Sequence, residues 1–319
     1  MSTAPSLSAW LARRLGAVLL VLWGVSLVAF SLQIICPGDP AELILRTRYE
    51  TPAPEKVAQL RQSMGLERPA HEQYLAWLGR VLCLDLGRSY RTGEPVAAQI
   101  AARLPATLEL ALASFALVVV LSTLLGLCAV WRRGRWLDRV LQPLSLGLVS
   151  LPSYWLALLL IALFALDLGW LPVAGFGGPA TLVLPALTLG LGTAAMQGRV
   201  LRVKVLEALG QDYLRFAMAK GLSPARIVLR HLLPNALVPM ITLWSMSLGS
   251  LLGGVVVVET IFAWPGLGRL LVESLLNRDL PLVQGVVLLM ALAFVLSSLI
   301  ADLVQRLLDP RLSVEGSGV

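Results

Sequence analysis

The feature that most constrains this chain is a series of long apolar runs, of which the stretch 140–166 carries no charged side chain. A helix of about 20 apolar residues spans the hydrocarbon core of a bilayer. Charged residues make up 14% of the sequence, against roughly a quarter in soluble proteins. Short strands do not alternate with amphipathic helices, which argues against a soluble α/β core. The runs therefore predict an all-α, polytopic membrane protein.

Six of the runs are predicted to cross the membrane. The first follows Arg13 and Arg14, but it is longer than the roughly 7 to 15 apolar residues of a signal peptide and lacks a small-residue cleavage site. It is therefore predicted to be a retained anchor. The expected organisation is an N-terminal segment, 1–14, followed by one transmembrane domain, 15–319. The predicted spans are 15–35, 105–130, 140–166, 181–197, 237–258 and 282–301.

Lysine and arginine residues set the predicted orientation, because cytoplasmic loops of membrane proteins are enriched in them. The segment 198–235 contains seven basic and two acidic residues, and 131–139 contains four arginines, whereas 167–180 contains no lysine or arginine. Both termini are therefore predicted to be cytoplasmic. The net charge of +7 is explained by these loops, and no basic, aromatic-rich soluble segment is available to bind nucleic acid.

The first hydrophilic stretch, 36–104, is predicted to be an outer loop, long enough to be translocated regardless of its charge. The turn sequence PGDP at 37–40 is expected to end the first span. Helical patterns over 55–63 and 71–82 predict a small helical cap. Cys36 and Cys83 both lie in this loop, and the sequence leaves open whether they form a disulfide or two separate thiols.

The second hydrophilic stretch, 198–236, is too polar to lie in lipid and too apolar to be a simple loop. It predicts two short helices, with Asp212 as N-cap of the first, Gly221 as the break, and Ser223 as N-cap of the second. Two interpretations stay open: a basic amphipathic segment on anionic lipid, or a docking surface for a soluble protein. The apolar face that must be covered contains Tyr213, Phe216 and Ala217.

Two motifs in this stretch carry a family resemblance. Residues 217–222 read AMAKGL and residues 230–239 read RHLLPNALVP, and Pro234 is expected to end the second short helix. The two motifs resemble the docking signature of permease subunits in the dipeptide, oligopeptide and nickel branch of ABC importers. Departures from the general signature are Arg215, Phe216 and His231. The resemblance extends from Arg13 to Arg311 through PGDP at 37–40, LPATLEL at 104–110, ETIFAWPGLG at 259–268 and NRDLP at 277–281.

The resemblance implies a type I ABC importer permease fold in the bacterial inner membrane, with 198–236 as the ATPase-docking segment. The expected partners are a second homologous permease chain, two ABC ATPase subunits, an extracytoplasmic substrate-binding protein and membrane lipid. Because the chain has no G-x-x-x-x-G-K-[ST] phosphate loop, ATP and Mg²⁺ are expected on the partner ATPase, and this chain is predicted to be neither an enzyme nor a cofactor carrier. The implied docking residues are Asp212, Arg215, Phe216, Ala217, Lys220, Gly221, Leu233 and Pro234.

The substrate class stays open between nickel, free or chelated, and di- or oligopeptides. The outer segment 167–180 is short, which resembles the nickel-type relatives and favours nickel or a metal chelate. A secondary transporter is less favoured, because paired intramembrane charges and an inverted repeat are lacking. An intramembrane enzyme is disfavoured, because no predicted span contains a histidine and G-x-S-x-G is absent. His71 and His231 have no partner at ligand spacing, so no fixed metal site is predicted.

Candidate pathway residues are the polar side chains within the predicted spans. Glu109 is the carboxylate in an apolar stretch, and it is interpreted either as a functional group or as a structural one near the start of a helix. The spans also contain Pro152 and Pro185, which are predicted to kink them. Small polar residues serve helix packing as well as pathways. The full set of pathway candidates is Glu109, Gln197, Ser245, Ser247 and Ser250.

Overall fold

A computed structural model describes residues 7–35, 39–46, 53–131 and 136–308, and these residues form helices without any β-sheet. Two π-helical segments, Ile161–Asp167 and Val228–Leu232, follow α7 and α10 respectively. In chain order the helices are α1 (Leu7–Ile35), α2 (Pro40–Arg46), α3 (Pro54–Ser63), α4 (Ala70–Leu82), α5 (Val96–Trp131), α6 (Trp136–Ser150), α7 (Ser153–Leu160), α8 (Pro179–Leu209), α9 (Asp212–Ala219), α10 (Pro224–Ile227), α11 (Leu233–Ile261), α12 (Leu267–Leu276) and α13 (Leu280–Leu308).

Five helices in the described part of the chain, α1, α5, α8, α11 and α13, are long and apolar enough to cross a membrane. The pair formed by α6 and α7 with its π-helical extension meets the same criteria, but the two helices bend by 116° between Ser150 and Ser153. Pro152 stands directly before α7, where a proline cannot donate the hydrogen bond that would continue the helix. The predicted kink at Pro152 is confirmed, and the six predicted spans correspond to five long helices and one broken pair.

Several helices extend beyond the predicted apolar spans that they contain. Helix α5 begins at Val96 rather than at 105 and holds Pro105 in its interior. Helix α8 passes through 197 and ends at Leu209. Its extension is stabilised by Leu201 and Val205, which lie one turn apart and are buried. Hydropathy locates the apolar part of a helix, whereas backbone hydrogen bonding decides where the helix ends.

The chain divides into two compact units. The main unit comprises Leu108–Trp264 and the described part of Ala293–Val319, and the cap unit comprises Ser8–Thr107 and Pro265–Leu292. Helices α5 and α13 contribute residues to both. The single domain over 15–319 stays a prediction. Helix α1 begins at Leu7, so the later part of the predicted N-terminal segment 1–14 is helical.

In the main unit, small residues bring α5 and α8 close together. Gly190, Ala194 and Gly198 recur every fourth residue on α8 and are buried. A Cβ on Gly190 would lie 3.2 Å from the carbonyl oxygen of Ser114, and one on Gly198 would lie 3.3 Å from that of Ser122. Small residues at such spacing let membrane helices approach closely. This packing face was readable from the sequence but was not predicted.

The main unit also contains the turn after α11. Trp264 is almost fully buried and meets the ring of Phe176 edge to face, with centroids 4.8 Å apart. The amide of Gly175 donates to the carbonyl oxygen of Phe262 at 3.0 Å. The short glycine-rich segment before α8 is therefore held against Phe262 and Trp264.

The cap unit contains the two helices predicted for the outer loop. They are α3 and α4, within one residue of the predicted bounds. Helix α4 buries Trp77 against Ala29 and Phe30 of α1. Helices α2 and α12 also form here and were not predicted. Cys83 is an exposed thiol following α4, and Cys36 lies outside the described residues, so the possible disulfide is untested.

Asp279 stabilises the turn at 89–91 of the cap unit through hydrogen bonds. Its carboxylate accepts hydrogen bonds from the hydroxyl of Ser89, from the amide of Tyr90 at 3.0 Å and from the amide of Arg91 at 3.5 Å. Asp279 is 2% exposed. The NRDLP motif at 277–281 thus supplies a buried anchor for residues distant in sequence, which explains structurally why an acidic residue stands there.

Candidate docking segment and cavity

Helix α9 is the first of the two short helices in the docking segment 198–236, and it presents two different faces. Leu214 is fully buried in an apolar cluster with Leu201 and Val205 of α8 and Leu232. Tyr213 and Phe216, in contrast, are 40% and 70% exposed. The helix is thus anchored on one side by Leu214, while two aromatic side chains on the other side remain uncovered.

The start of α9 differs by one position from the prediction. The carbonyl oxygen of Gln211 accepts a hydrogen bond from the amide of Leu214 at 3.2 Å, and Asp212 is the first helical residue. Asp212 therefore lies in the first turn rather than at the N-cap. A carboxylate in this turn still interacts favourably with the positive end of the helix dipole.

Gly221 separates the two short helices, as predicted. Its φ is +72°, in the left-handed region that side chains with a Cβ rarely adopt. No atom lies within 4 Å of the position that a Cβ would occupy. Glycine is therefore required here by backbone conformation and not by lack of space.

The second short helix starts as predicted but does not end as predicted. The amide of Ile227 donates to the carbonyl oxygen of Ser223 at 3.0 Å, and Pro224 is the first residue of α10. At Pro234, however, the chain passes from the π-helical segment directly into α11. The wider π turn relieves the clash between a proline ring and the carbonyl four residues earlier. The docking segment is thus continuous with the long helix α11.

The remaining predicted docking residues differ in exposure. Lys220 and Pro234 are exposed, and Leu233 is half-buried. The side chains of Arg215 and Ala217 lie outside the described part of the structure. Asn235, which was not among the predicted docking residues, connects the start of α11 to α9, because its Nδ2 donates to the hydroxyl of Tyr213 at 3.3 Å.

A cavity of about 550 Å³, here called the main cavity, opens among α6, α7, α8 and α11. Most of its wall is aliphatic. Three predicted pathway residues, Gln197, Ser247 and Ser250, lie on this wall, together with Thr188 and Thr193. The structure thus brings together residues from two predicted spans that are about fifty positions apart in the sequence.

Gln197 has an unusual hydrogen-bonding state on this wall. Its Nε2 donates to the carbonyl oxygen of Leu243 at 3.2 Å. Its Oε1 is buried and finds no hydrogen-bond partner among the described residues. A buried unsatisfied carbonyl oxygen is costly and rare in proteins. It therefore marks a place where a ligand donor or a water molecule would be stabilised.

Two predicted pathway residues do not line the main cavity. Ser245 donates to the carbonyl oxygen of Ile241 at 2.8 Å, and the helical period places it on a different face from Ser247 and Ser250. Glu109 is exposed on α5, thirteen residues after its start at Val96. The interpretation that placed Glu109 in the first turns of a helix is therefore wrong.

A buried ion pair joins α6 to α8 and was missed by the sequence reasoning. Nε and Nη2 of Arg202 donate to Oδ1 and Oδ2 of Asp138 at 3.1 and 3.0 Å. The Asp138 side chain is 9% exposed. The two residues are 64 positions apart, so no local sequence pattern indicates that they form a pair. The sequence analysis counted both only as members of basic loops.

Glu259 was also missed. It lies near the end of α11 and is fully buried, although the apolar stretches were thought to contain only Glu109. The carbonyl oxygen of Glu259 accepts from the amide of Trp264 at 2.9 Å. The ETIFAWPGLG motif at 259–268 therefore combines a buried acidic side chain with a tight turn.

In the part of the chain that the structure describes, five long apolar helices, a bent helix pair and two short helices with exposed aromatic side chains define a polytopic membrane protein. Residues 7–111 match the N-terminal region of binding-protein-dependent transport system membrane components. Residues 119–314 match the family of binding-protein-dependent transport system inner membrane components. The chain belongs to this family, the ABC importer permeases of the peptide and nickel group, and it is a multi-pass inner-membrane subunit and not an enzyme.

Similar proteins cover almost the whole chain. A putative peptide transport system permease of Brucella abortus is 39% identical over 96% of this chain and 99% of its own length. The glutathione transport system permease GsiC of Salmonella choleraesuis is 39% identical over 93% and 96%. The di/tripeptide transport system permease DppB of Pseudomonas aeruginosa is 36% identical over 95% and 98%.

A solved structure shares the fold. The MetNI methionine ABC transporter, in an inward-facing conformation, superposes with a TM-score of 0.58 over 68% of this chain and 99% of the matched chain, at 21% identity. The expected ABC importer permease fold is therefore confirmed.

Proposed function

We propose that this chain is the permease of an ABC importer for short peptides, and that it pairs with a second homologous permease around a shared pathway. Its relatives are named as peptide, di/tripeptide and glutathione permeases. The preference for nickel, drawn from the short outer segment, gains no support from these names. The short glycine-rich segment at 171–178 is instead explained by its packing against the AWPG turn.

The observation that carries the proposal is the chemistry of the main cavity. Its volume of about 550 Å³ lies within the range of roughly 300 to 1,000 Å³ that is typical of small-ligand sites. Aliphatic walls suit peptide side chains, whereas Ser247, Ser250 and the unsatisfied Oε1 of Gln197 suit peptide amides and an ammonium group. A hydrated metal ion would gain little from such walls, because nickel prefers nitrogen or charged oxygen ligands.

The coupling of transport to ATP is proposed to pass through the docking segment. Tyr213 and Phe216 would insert into a separate ATPase subunit, since a large exposed apolar patch indicates an interaction surface. Because α10 continues into α11, a movement of the ATPase would be transmitted directly to the wall of the main cavity. Two ATPase subunits, one for each permease, would bind ATP and Mg²⁺.

The cap unit is proposed to face the outside, where an extracytoplasmic binding protein would deliver the peptide. This orientation rests on the basic residues of 131–139 and 198–235, which favour the cytoplasm. The same argument places both termini in the cytoplasm.

Uptake by the complete importer tests the substrate. The importer would be expressed in a host without other peptide uptake, and import of tri-alanine and of radioactive nickel would be measured in parallel. We expect tri-alanine import and no nickel accumulation above the empty host. Gln197→Leu should lower the rate of peptide import about tenfold, because the hydrogen bond of Oε1 is lost. Ser245→Ala is the matched control, and nickel import without peptide import would refute the proposal.

A further inference from the structure

The cap unit contains a second cavity, of about 650 Å³, which the proposed pathway does not use. We call it the cap cavity. It lies among α1, the end of α3, helix α4, the turn 85–90 and the start of α13. In contrast to the main cavity, its wall carries several charged and amide side chains.

The charge on this wall is unbalanced. Arg68, Arg80 and Arg88 line the cap cavity, whereas Asp85 is the lining carboxylate. Within the described residues no carboxylate forms an ion pair with any of the three arginines. Oδ1 of Asp85 is engaged by the amide of Gly87 at 3.0 Å. The cavity therefore holds an excess of two positive charges and attracts an anion.

Of the three arginines, Arg88 is positioned by a hydrogen bond to the backbone. The Arg68 side chain lies over Gly65, since its Nε is 3.5 Å from where a Cβ on that glycine would lie. Nη1 of Arg88 donates to the carbonyl oxygen of Gly93 at 3.0 Å. These contacts leave further guanidinium N–H groups available, since each guanidinium carries five donors.

The rest of the wall is suited to an organic ligand. Phe30 and Trp77 are buried against each other, with ring centroids 5.7 Å apart, and form an aromatic part of the wall. The hydroxyl of Tyr90 finds no hydrogen-bond partner among the described residues. Burial, together with the nearby Asp279, raises the pKa of Tyr90 to about 12. Tyr90 is therefore a protonated hydrogen-bond donor at neutral pH.

We infer that the cap cavity is a binding site for the carboxylate end of a short peptide, in addition to the main cavity. The planar guanidinium of an arginine matches a carboxylate through two parallel hydrogen bonds. The amides of Gln62 and Gln284 and the hydroxyl of Tyr90 complement a peptide backbone, and the aromatic wall covers a small side chain. This inference rests on the proposed function, because it assumes that the ligand is a peptide.

The test measures peptide binding to the complete importer in nanodiscs of phosphatidylcholine, by calorimetry, in the absence of ATP and of the binding protein. The probes are tri-alanine and tri-alanine amide, which differ only in the terminal carboxylate. Arg68→Gln/Arg80→Gln should weaken the binding of tri-alanine at least about tenfold. Tri-alanine amide should bind the native importer as weakly as tri-alanine binds the double variant. Arg91→Gln is the matched control, because Arg91 belongs to the same turn region and does not line the cavity.

Equal binding of tri-alanine and tri-alanine amide would overturn the inference, and so would unchanged binding of tri-alanine by the double variant. A loss of peptide binding in nanodiscs that contain phosphatidylglycerol would also overturn it, because it would assign the arginines to lipid headgroups. Failure of the proposed function would look different. In that case tri-alanine would not be imported at all, whereas a defect confined to the cap cavity would leave import by the main cavity measurable at saturating tri-alanine.

Discussion

Single residues decide how the helices of the main unit are joined, and the pair Asp138–Arg202 shows this most directly. Two charge-assisted hydrogen bonds of 3.0 and 3.1 Å connect α6 to α8. Removing one member of a buried pair leaves the other charge without compensation, which costs more than the pair itself contributes. The pair therefore constrains two of the four helices that border the main cavity.

Asp138→Asn should destabilise the purified permease by about 3 kcal/mol, because Arg202 would keep a partly buried charge without a carboxylate. The midpoint of thermal unfolding in detergent measures this effect. The matched control is Glu207→Gln, which breaks the more exposed pair of Lys204 and Glu207 and should cost less than about 1 kcal/mol. Equal losses in the two variants would contradict a structural role for the Asp138 pair.

Tyr90 gives the cap unit an alkaline pH dependence. Its pKa is raised from 10.0 to about 12, so the unfolded chain loses this proton first as the pH rises. The stability that Tyr90 contributes is fully present below pH 10 and is lost between pH 10 and 12. Unfolding midpoints measured from pH 9 to 12 should therefore fall less steeply for Tyr90→Phe than for the native chain. Tyr154→Phe, at an exposed tyrosine, should follow the native curve.

The sequence predicted the polar residues of the site, but not which face of their helix each one occupies. Ser247 and Ser250 lie three residues apart on one face of α11 and both reach the main cavity, whereas Ser245 points elsewhere. Polarity alone selected all three. The ion pair of Asp138 and the buried Glu259 were missed, because tertiary packing and not local pattern determines which charges become buried.

At the scale of helices, sequence motifs predicted which helices form better than they predicted where those helices end. The positive φ of Gly221 and the start of α10 followed from local rules of capping and backbone conformation. Pro105 and Pro234 were interpreted as helix boundaries, but both lie within continuous helices. Neighbouring helices and π turns compensate for the hydrogen bond that proline removes. Rules based on single residue types cannot predict such compensation, because it depends on tertiary contacts.

Gly221→Val should uncouple the importer without unfolding it. A valine forced into the left-handed region costs on the order of 1 kcal/mol or more, so the backbone would shift and α9 would turn relative to α10. We expect near-native amounts in the membrane, with peptide uptake and ATPase recruitment reduced together. Immunoblots of membranes, uptake and co-purification measure the three quantities.

The control for Gly221 is Gly210→Ala, four positions before the buried Leu214. Gly210 has a φ of −79°, which alanine adopts without strain, so coupling should be retained. Normal uptake by Gly221→Val would show that the docking segment has been assigned wrongly. Disappearance of the variant from the membrane would show that Gly221 serves folding instead.

At the scale of the whole molecule, composition predicted more than any motif. The uncharged runs were sufficient for an all-α membrane fold, and the six expected crossings correspond to five long helices and the broken pair of α6 and α7. The division into a main unit and a cap unit was not predicted. It depends on contacts between α1, α4 and the start of α13, which are distant in the sequence.

The orientation of the molecule is the remaining prediction at this scale, and it is tested by labelling single cysteines. In a chain whose Cys36, Cys83 and Cys128 are replaced by serine, a cysteine would be placed at Gly134, at Lys220 or at Glu72. The first two positions belong to basic segments that favour the cytoplasm. Glu72 is exposed on α4 in the cap unit. A maleimide that does not cross the inner membrane should therefore label Glu72→Cys in intact cells, and should label the other two variants only after permeabilisation. Labelling of Gly134→Cys or Lys220→Cys in intact cells would invert the proposed topology and with it the side on which the ATPase docks.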